Sequence, residues 1–184
     1  MPAAAEEAGP APDLRALIRD IPGFPQPGIV YRDITPLLLD PRALGKAAEA
    51  LAGWARGREV DYVVAAEARG FVLGGMLAER LGAGFIPARK PGKLPHETVS
   101  ASYALEYGLD ALEVHADAVS HGERVLVHDD LLATGGTAKA LCDLVGQLGG
   151  HVAGCAFLVE LSYLGGRGRL APIDVHALVG YDAP

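Results

Sequence analysis

The chain lacks long hydrophobic runs, has few cysteines and carries fewer basic than acidic residues. No apolar segment approaches the ~20 residues of a membrane-spanning helix, so we expect no membrane span. The net charge is −7, from 16 Lys and Arg against 23 Asp and Glu, which argues against a nucleic-acid partner. The two cysteines, Cys142 and Cys155, lie in apolar segments, and we expect them to be reduced core residues of a cytoplasmic protein.

Common cofactor motifs are missing as well. The chain has neither G-x-G-x-x-G nor a Walker A sequence, and His115, His121, His151 and His176 show no metal-ligand spacing. The acidic amino terminus has no basic region followed by a hydrophobic core, so residues 1–12 are predicted to form a disordered tail rather than a signal peptide. The length of the remainder, 13–184, suits a single domain.

The most informative segment is 125–138, which reads VLVHDDLLATGGTA. A short apolar run precedes two carboxylates, Asp129 and Asp130, and a turn of small residues leads into apolar residues at helical spacing. This order predicts a buried strand, a loop and a helix, and ligands of open α/β sheets bind at such strand ends. Glycines allow close approach of the backbone, a helix start attracts phosphate, and carboxylates suit ribose hydroxyls or the water shell of a metal. The segment therefore predicts a sugar-phosphate site.

Predicted strands and helices alternate along the rest of the chain. Short apolar strands of this kind favour a parallel sheet that is buried on both faces. Segment 22–36 contains four prolines and two glycines, and we expect no regular element there. Segment 95–106 is expected to form a hairpin arm with 112–114. The predicted helices are 13–20, 40–56 and 71–81, and the further strands are 61–66, 84–88, 152–161 and 175–179.

Four motifs together resemble one enzyme family. VLVHDDLLATGGTA resembles the signature of type I phosphoribosyltransferases, which bind phosphoribosyl pyrophosphate (PRPP), and DDLLATGGTA is similar to the form found in adenine phosphoribosyltransferases. FPQPGIVYRDI, RKPGKLP and SYALEYG resemble further segments of the same enzymes, in the same order along the chain. The resemblance extends from about Asp13 to Tyr181. His128 departs from it, because the family has an apolar residue at this position.

The resemblance implies both a fold and a reaction. The fold would be α/β, of the type I phosphoribosyltransferase class, with a central, mostly parallel sheet flanked by helices, a small N-terminal hood at about 21–36 and a flexible catalytic loop at about 95–108. The reaction would be Mg²⁺-dependent transfer of 5-phosphoribosyl from PRPP to adenine, giving AMP and pyrophosphate, in a homodimer. Mg²⁺ would be held mainly by PRPP and water. Two alternatives are transfer to hypoxanthine, guanine or xanthine, and a non-catalytic PRPP or purine sensor on the same fold.

The resemblance also assigns site residues. Glu106 would be the general acid or base at the purine, Tyr107 would seat its loop, and Arg89 would act across the dimer interface. Family members often have a cis peptide bond at the position of Glu67–Ala68. His128 could be a core histidine, which we favour, or could titrate near Asp129. The remaining assignments are Asp129 and Asp130 for ribose and catalysis; Ala133, Thr134, Gly135, Gly136 and Thr137 for the 5′-phosphate; Glu67, Ala68, Arg69, Lys90 and Lys93 for pyrophosphate; and Val30, Tyr31, Arg32 and Leu161 for adenine.

Overall fold

The computed structural model describes residues 12–105 and 108–184, so Glu106, Tyr107 and nearly all of the predicted tail lie outside the described residues. The chain forms two compact units, Met1–Ala47 and Ala48–Pro184. The single domain at 13–184 remains a prediction. Among the described helices, none combines the length and the apolar character needed to cross a membrane.

The first unit is built on a two-stranded antiparallel ribbon. Strand β1 (Arg19–Pro22) pairs with β2 (Val30–Asp33), and the Arg19 guanidinium contacts Asp33 at 2.6 Å. The predicted helix at 13–20 is wrong. It is reduced to one 3-10 turn, Arg15–Leu17, because Ile18 adopts an extended backbone and the ribbon begins at the next residue.

The expectation of no regular element in 22–36 is also wrong. No proline lies between Pro27 and Pro36, and β2 forms within this proline-free stretch. A short helix, α1 (Thr35–Leu39), follows at once. Helix α2 (Pro41–Ala55) then begins as predicted, with the Asp40 carboxylate accepting hydrogen bonds from the backbone N–H groups of Arg42 and Ala43 at 2.8 and 3.0 Å.

The second unit contains a five-stranded parallel sheet, and the predicted α/β fold class is confirmed. The sheet order is β4-β3-β7-β8-β9. The flanking helices are α3 (Gly70–Leu81), α4 (Gly136–Gln147) and the short α5 (Gly166–Leu170), which follows a 3-10 turn at Ser162–Leu164. The strands are β3 (Tyr62–Ala66), β4 (Gly84–Ala88), β7 (Arg124–Leu132), β8 (His151–Leu161) and β9 (Val175–Tyr181).

The predicted hairpin arm is present, although its first strand begins later than expected and its partner strand is longer than expected. Strands β5 (Thr98–Leu105) and β6 (Gly108–His115) pair antiparallel along their whole length. The backbone groups of Arg89 and Glu113 exchange hydrogen bonds of 2.9 and 2.7 Å. The arm is therefore fixed to the residue that follows β4.

All five strands are parallel, but the side of the sheet on which successive strands are added changes between β3 and β7. From β3 the chain crosses to β4 on one side, whereas from β7 it proceeds through β8 to β9 on the other. Such a reversal leaves a crevice at the carboxyl ends of the two central strands, where ligands of open α/β sheets bind. Strand β7 continues through Asp129 and Asp130, so the loop begins later than the sequence predicts.

Candidate active site

A carboxylate pair and an arginine meet at this crevice. Asp129 and Asp130 lie near the end of β7, and Arg69 lies in the loop between β3 and α3. The Arg69 Nε is 2.9 Å from the Asp130 Oδ2, and the Asp130 backbone N–H donates to Asp129 Oδ1 at 2.9 Å. Asp130 is only 5 % exposed. Asp129, Asp130 and Arg69, which the sequence analysis assigns to PRPP binding, therefore lie next to one another.

The carboxylate pair occupies an environment that disfavours negative charge. Burial raises the pKa of Asp129 well above its usual range, and repulsion from Asp130 adds to this effect. Burial also raises the pKa of Asp130, although the Arg69 guanidinium opposes the shift. A ligand that brings hydroxyl donors or positive charge to these oxygens would relieve the penalty.

The start of α3 lies unusually close to Asp129. A side-chain Cβ at Gly70 would lie 2.8 Å from Asp129 Oδ1, so only glycine fits without displacing the carboxylate. The preceding residue, Arg69, is the N-cap of the helix. The Glu67–Ala68 peptide bond is cis, as the family resemblance leads one to expect.

Glu67 connects the loops that follow β3 and β4. Its Oε2 accepts hydrogen bonds from Arg89 Nε and Nη2 at 3.1 and 3.0 Å, and its Oε1 accepts one from the Lys90 backbone N–H at 2.6 Å. The Lys90 bond, together with the Arg89 guanidinium, lowers the pKa of Glu67. The structure thus brings these predicted pyrophosphate residues together, with Glu67 holding the cationic loop rather than facing an anion itself.

The basic loop also contacts the hairpin arm. Lys90 Nζ lies 2.9 Å from Asp110 Oδ2, and the Tyr103 hydroxyl donates to the same oxygen at 3.2 Å. The bond to Asp110 raises the pKa of Lys90, which keeps the ammonium charged. Tyr103 and Asp110 were missed by sequence reasoning because their partners are distant in sequence. Lys93 is exposed, and its backbone C=O accepts a hydrogen bond from Arg89 Nη1 at 3.4 Å.

The loop between β7 and α4 surrounds a small cavity of about 60 Å³. Gly135 has a φ of +80°, which favours glycine, and α4 begins at Gly136. Gly166 packs closely against this loop, because a Cβ on Gly135 would lie 2.7 Å from the Gly166 carbonyl oxygen. The role of Gly166 was missed, and the adjacent Gly165–Gly166 pair was its only sequence signal. The cavity is lined by Leu131, Leu132, Ala133, Thr134, Gly135, Gly136, Thr137 and Ala138.

The predicted adenine residues fall in both compact units. In the first unit, Val30, Tyr31 and Arg32 occupy β2, where Arg32 is 6 % exposed and forms an ion pair with Asp20. In the second unit, Leu161 is the last residue of β8 and is buried.

His128, the departure from the family pattern, is a core residue. It is fully buried, and its Nδ1 lies 2.8 Å from the Ala156 carbonyl oxygen. Burial lowers its pKa to about 4, so the imidazole is neutral at pH 7. The ring lies beside α3, where a Cβ at Gly74 would be in ordinary van der Waals contact with His128 Cδ2 at 3.6 Å. The interpretation of His128 as a core histidine is confirmed.

Comparison with known proteins identifies the family. Residues 37–179 match the family described as Phosphoribosyl transferase domain. Adenine phosphoribosyltransferase from Rubrobacter xylanophilus is 58% identical over 172 residues, which cover 93% of each chain. The chain belongs to the adenine phosphoribosyltransferase family. A second member, from Thermotoga maritima, is 56% identical over 169 residues and covers 92% of this chain and 98% of its own.

Solved structures of this family share the fold. The enzyme from Thermoanaerobacter pseudethanolicus superposes with a TM-score of 0.89 at 52% identity, covering 91% of this chain and 98% of its own. The Saccharomyces cerevisiae enzyme has a TM-score of 0.84 at 38% identity over 89% of this chain and 95% of its own, and its structure is a complex with D-2,5-dideoxy-2,5-imino-altritol 1,6-bisphosphate and adenine. The predicted type I phosphoribosyltransferase fold is therefore confirmed, and the family assigns the chain to the pentosyltransferases.

Proposed function

We propose that this site transfers the 5-phosphoribosyl group of PRPP to adenine, giving AMP and pyrophosphate, with Mg²⁺. The observation that carries the proposal is the Asp129–Asp130 pair, of which Asp130 is buried and in contact with Arg69, followed by a glycine-rich loop at the start of α4. This arrangement offers acceptors for ribose hydroxyls and N–H donors for a phosphate within one crevice. The family membership and the adenine-bound yeast relative support adenine as the base.

The two ends of the sugar are bound by different chemistry. Asp129 and Asp130 accept the ribose hydroxyls and place negative charge near the carbon at which the bond breaks. The 5′-phosphate binds to the loop formed by Ala133, Thr134, Gly135, Gly136 and Thr137. Because transfer passes through an oxocarbenium-like state, as in glycoside hydrolysis, carboxylates close to the sugar stabilise the developing positive charge.

The leaving pyrophosphate is neutralised by the loops after β3 and β4. Arg69, Lys90 and Lys93 supply the positive charge, and backbone groups near Ala68 supply donors. Glu67 keeps this region in place through its bonds to Arg89 and to the backbone of Lys90. Charge neutralisation makes pyrophosphate a better leaving group.

The donor set at the crevice is compatible with Mg²⁺. Among the described residues there is no group of three His, Cys, Asp or Glu side chains arranged to hold a metal ion. Mg²⁺ commonly binds through one or two carboxylates, waters and substrate phosphates, and Asp129 and Asp130 would hold its water shell. When bound, the ion adds charge neutralisation at the pyrophosphate.

The base is held by Val30, Tyr31, Arg32 and Leu161, with the backbone near Arg32 reading the adenine edge. Adenine offers an N6 donor beside an N1 acceptor, which one peptide C=O and N–H can match. Glu106 manages the proton at the purine, and Tyr107 seats the segment that carries it. Both residues lie outside the described part of the chain, and the resemblance of SYALEYG to the family motif supports their roles.

The direct test is formation of AMP from adenine, PRPP and Mg²⁺ by the purified chain. We expect turnover with adenine, loss of turnover with a chelator and recovery on adding Mg²⁺. Hypoxanthine, guanine and xanthine should compete poorly. A preference for one of these bases would mean that it, rather than adenine, is the substrate. PRPP binding without turnover of any base would favour a non-catalytic sensor.

Replacing Glu106 by Gln should reduce kcat by about a hundredfold, because general acid–base groups contribute roughly 10²–10⁴-fold. The affinity for PRPP should change little, since Glu106 is assigned to the purine. Rapid-quench turnover and PRPP titration measure the two quantities. Glu97→Gln, an exposed residue of the same arm, is the matched control. An unchanged kcat in Glu106→Gln would remove Glu106 from the mechanism.

We also propose a cytoplasmic homodimer. The dimer is a family expectation, with Arg89 as the candidate that acts across the interface, and a solution mass of one chain at assay concentrations would contradict it. Cytoplasmic location is supported by the two free buried cysteines, Cys142 and Cys155, whose sulfurs are 3.7 Å apart. Cell fractionation tests the location.

A further inference from the structure

An ion pair between the buried Glu160 and the half-exposed Arg167 joins α5 to the end of β8. The Arg167 Nε and Nη2 donate to Glu160 Oε1 and Oε2 at 3.0 and 2.5 Å, and Arg167 Nη1 donates to the Val175 carbonyl oxygen at 2.6 Å. Glu160 is 8 % exposed, and the bond to its carboxylate raises the pKa of Arg167. The planar guanidinium therefore fixes α5 against β8 and β9 in one orientation.

Residues 161–166, between Glu160 and Arg167, include one residue next to each of two proposed subsites. Leu161, assigned to the base, directly follows Glu160. Gly166, which directly precedes Arg167, packs against the phosphate loop: a Cβ at Gly166 would lie 2.2 Å from the Ala133 carbonyl oxygen and 2.9 Å from the Gly135 nitrogen. The ion pair thus lies next to one residue at each proposed end of the substrate.

Between these ends the segment has a second attachment to β9. The Ser162 hydroxyl lies 2.8 Å from the Tyr181 carbonyl oxygen and 2.6 Å from Asp182 Oδ1. This attachment holds the 3-10 turn Ser162–Leu164, but it does not reach α5. Gly166 beside the phosphate loop belongs to α5, which is anchored by the Arg167 contacts and by the buried Leu170.

We propose that Glu160 and Arg167 are positioning residues for substrate binding: by holding α5, they keep Gly166 beneath the 5′-phosphate loop and Leu161 at the base. The inference rests on the proposed function, because it takes the phosphate and adenine subsites from there. Neither side chain needs to touch a substrate. Loss of the pair leaves a buried carboxylate without its cation and allows α5 to move, and small displacements in a binding site reduce catalytic efficiency strongly.

The principal experiment compares Arg167→Met with Arg169→Met. Both replace an exposed arginine of α5, and Arg169, which is not part of the Glu160 ion pair, serves as the matched control. Arg167→Met should raise the KM for PRPP and for adenine by about tenfold, with kcat changed far less, because misplacement weakens binding before it affects the reacting groups. Arg167→Lys, which keeps the charge but not the paired donors, should fall between wild type and Arg167→Met.

Two further variants separate positioning from folding. Glu160→Gln keeps the side-chain shape and should produce the same joint rise in both KM values. Gly166→Ala keeps both side chains of the ion pair but introduces a Cβ against Ala133, so it should raise the KM for PRPP more than the KM for adenine. Melting temperatures are measured in parallel, and all assays are run well below the lowest of them.

The outcomes distinguish this inference from the proposed function. If wild type makes no AMP from adenine and PRPP, the proposed function fails. If wild type is active but Arg167→Met and Glu160→Gln keep wild-type KM values while losing thermal stability, the pair is structural and the positioning role is overturned. An equal effect of Arg169→Met would also overturn it, because the result would then reflect charge alone.

Discussion

Replacing Asp129 and Asp130 together by Asn is expected to weaken PRPP binding by about a hundredfold without lowering the melting temperature at neutral pH. Hydrogen bonds to charged groups contribute roughly 1.5–3 kcal/mol each, so the loss of two charged acceptors for ribose hydroxyls accounts for a change of this size. The substitutions preserve side-chain shape, and so the effect on binding should come from charge rather than from packing.

The effect on stability follows from the direction of the pKa shifts. Burial raises the folded-state pKa of both carboxyls above 3.8, so the stability of the folded state relative to the unfolded chain is highest below the unfolded pKa and falls as pH rises through the folded pKa. At neutral pH the penalty for the buried charges is present in wild type and absent from the Asn variant. The variant should therefore be at least as stable at pH 7, and its advantage should disappear in acid.

The single variants should differ from each other. The negative charge of Asp130 is stabilised by the Arg69 guanidinium, whose Nε lies 2.9 Å from Asp130 Oδ2. The charge of Asp129 is disfavoured both by burial and by repulsion from Asp130. Asp129→Asn should consequently stabilise more than Asp130→Asn, which leaves Arg69 without its carboxylate partner. Such a combination of higher stability and lower affinity is typical of residues kept for function.

Titration calorimetry with PRPP measures the affinity, and scanning calorimetry at pH 7 and in acid measures the stability. Asp143→Asn is the matched control, since Asp143 lies on α4, is exposed and pairs with Lys139. PRPP affinity equal to that of wild type in the double variant would contradict the ribose assignment. A large loss of stability at pH 7 would contradict the inferred charge penalty.

Local patterns predicted much of the fold, because adjacent residues carry the information. The apolar run before Asp129 specified β7, and the strand predicted at 84–88 coincides with β4. Asp40 marked the start of α2 through two cap hydrogen bonds. The helix predicted at 13–20 failed since pairing with a strand more than ten residues away outweighed local periodicity.

Contacts between distant residues could not be predicted in this way. The Arg89 side chain donates a hydrogen bond to Glu67, which is 22 residues away in the sequence, and Lys90 donates one to Asp110, which is 20 residues away. No local pattern indicates that Gly70 must be small because Asp129 lies beside it. The candidate site could therefore be located from its β7 motif and the family resemblance, whereas its internal connections depend on the order of strands in the sheet.

The second large effect concerns His128 and acid stability. Its folded-state pKa of about 4 lies below the ordinary 6.5 because the ring is fully buried. A depressed folded pKa contributes stability that is present above pH 6.5 and is lost as pH falls through about 4, since the unfolded chain takes up the proton first. The shift corresponds to about 3 kcal/mol over this window.

His128→Val should therefore have a shallower loss of unfolding free energy between pH 6.5 and 4 than wild type has. At pH 7.5 the variant should be less stable by about 1 kcal/mol, because the hydrogen bond to the Ala156 carbonyl is removed. The two stability curves should cross in acid. Carboxylates titrate in the same window, but their contribution is common to both proteins and cancels in the difference.

Urea unfolding at a series of pH values measures this difference directly. His151→Val, at an exposed position on the neighbouring strand β8, is the matched control and should follow the wild-type curve. The pH dependence of kcat should be the same in His128→Val and wild type, because a neutral core histidine exchanges no proton near pH 7. A variant curve parallel to that of wild type would show that the pKa of His128 is the same in the folded and unfolded states, and an altered rate profile would connect the ring to the neighbouring carboxylates after all.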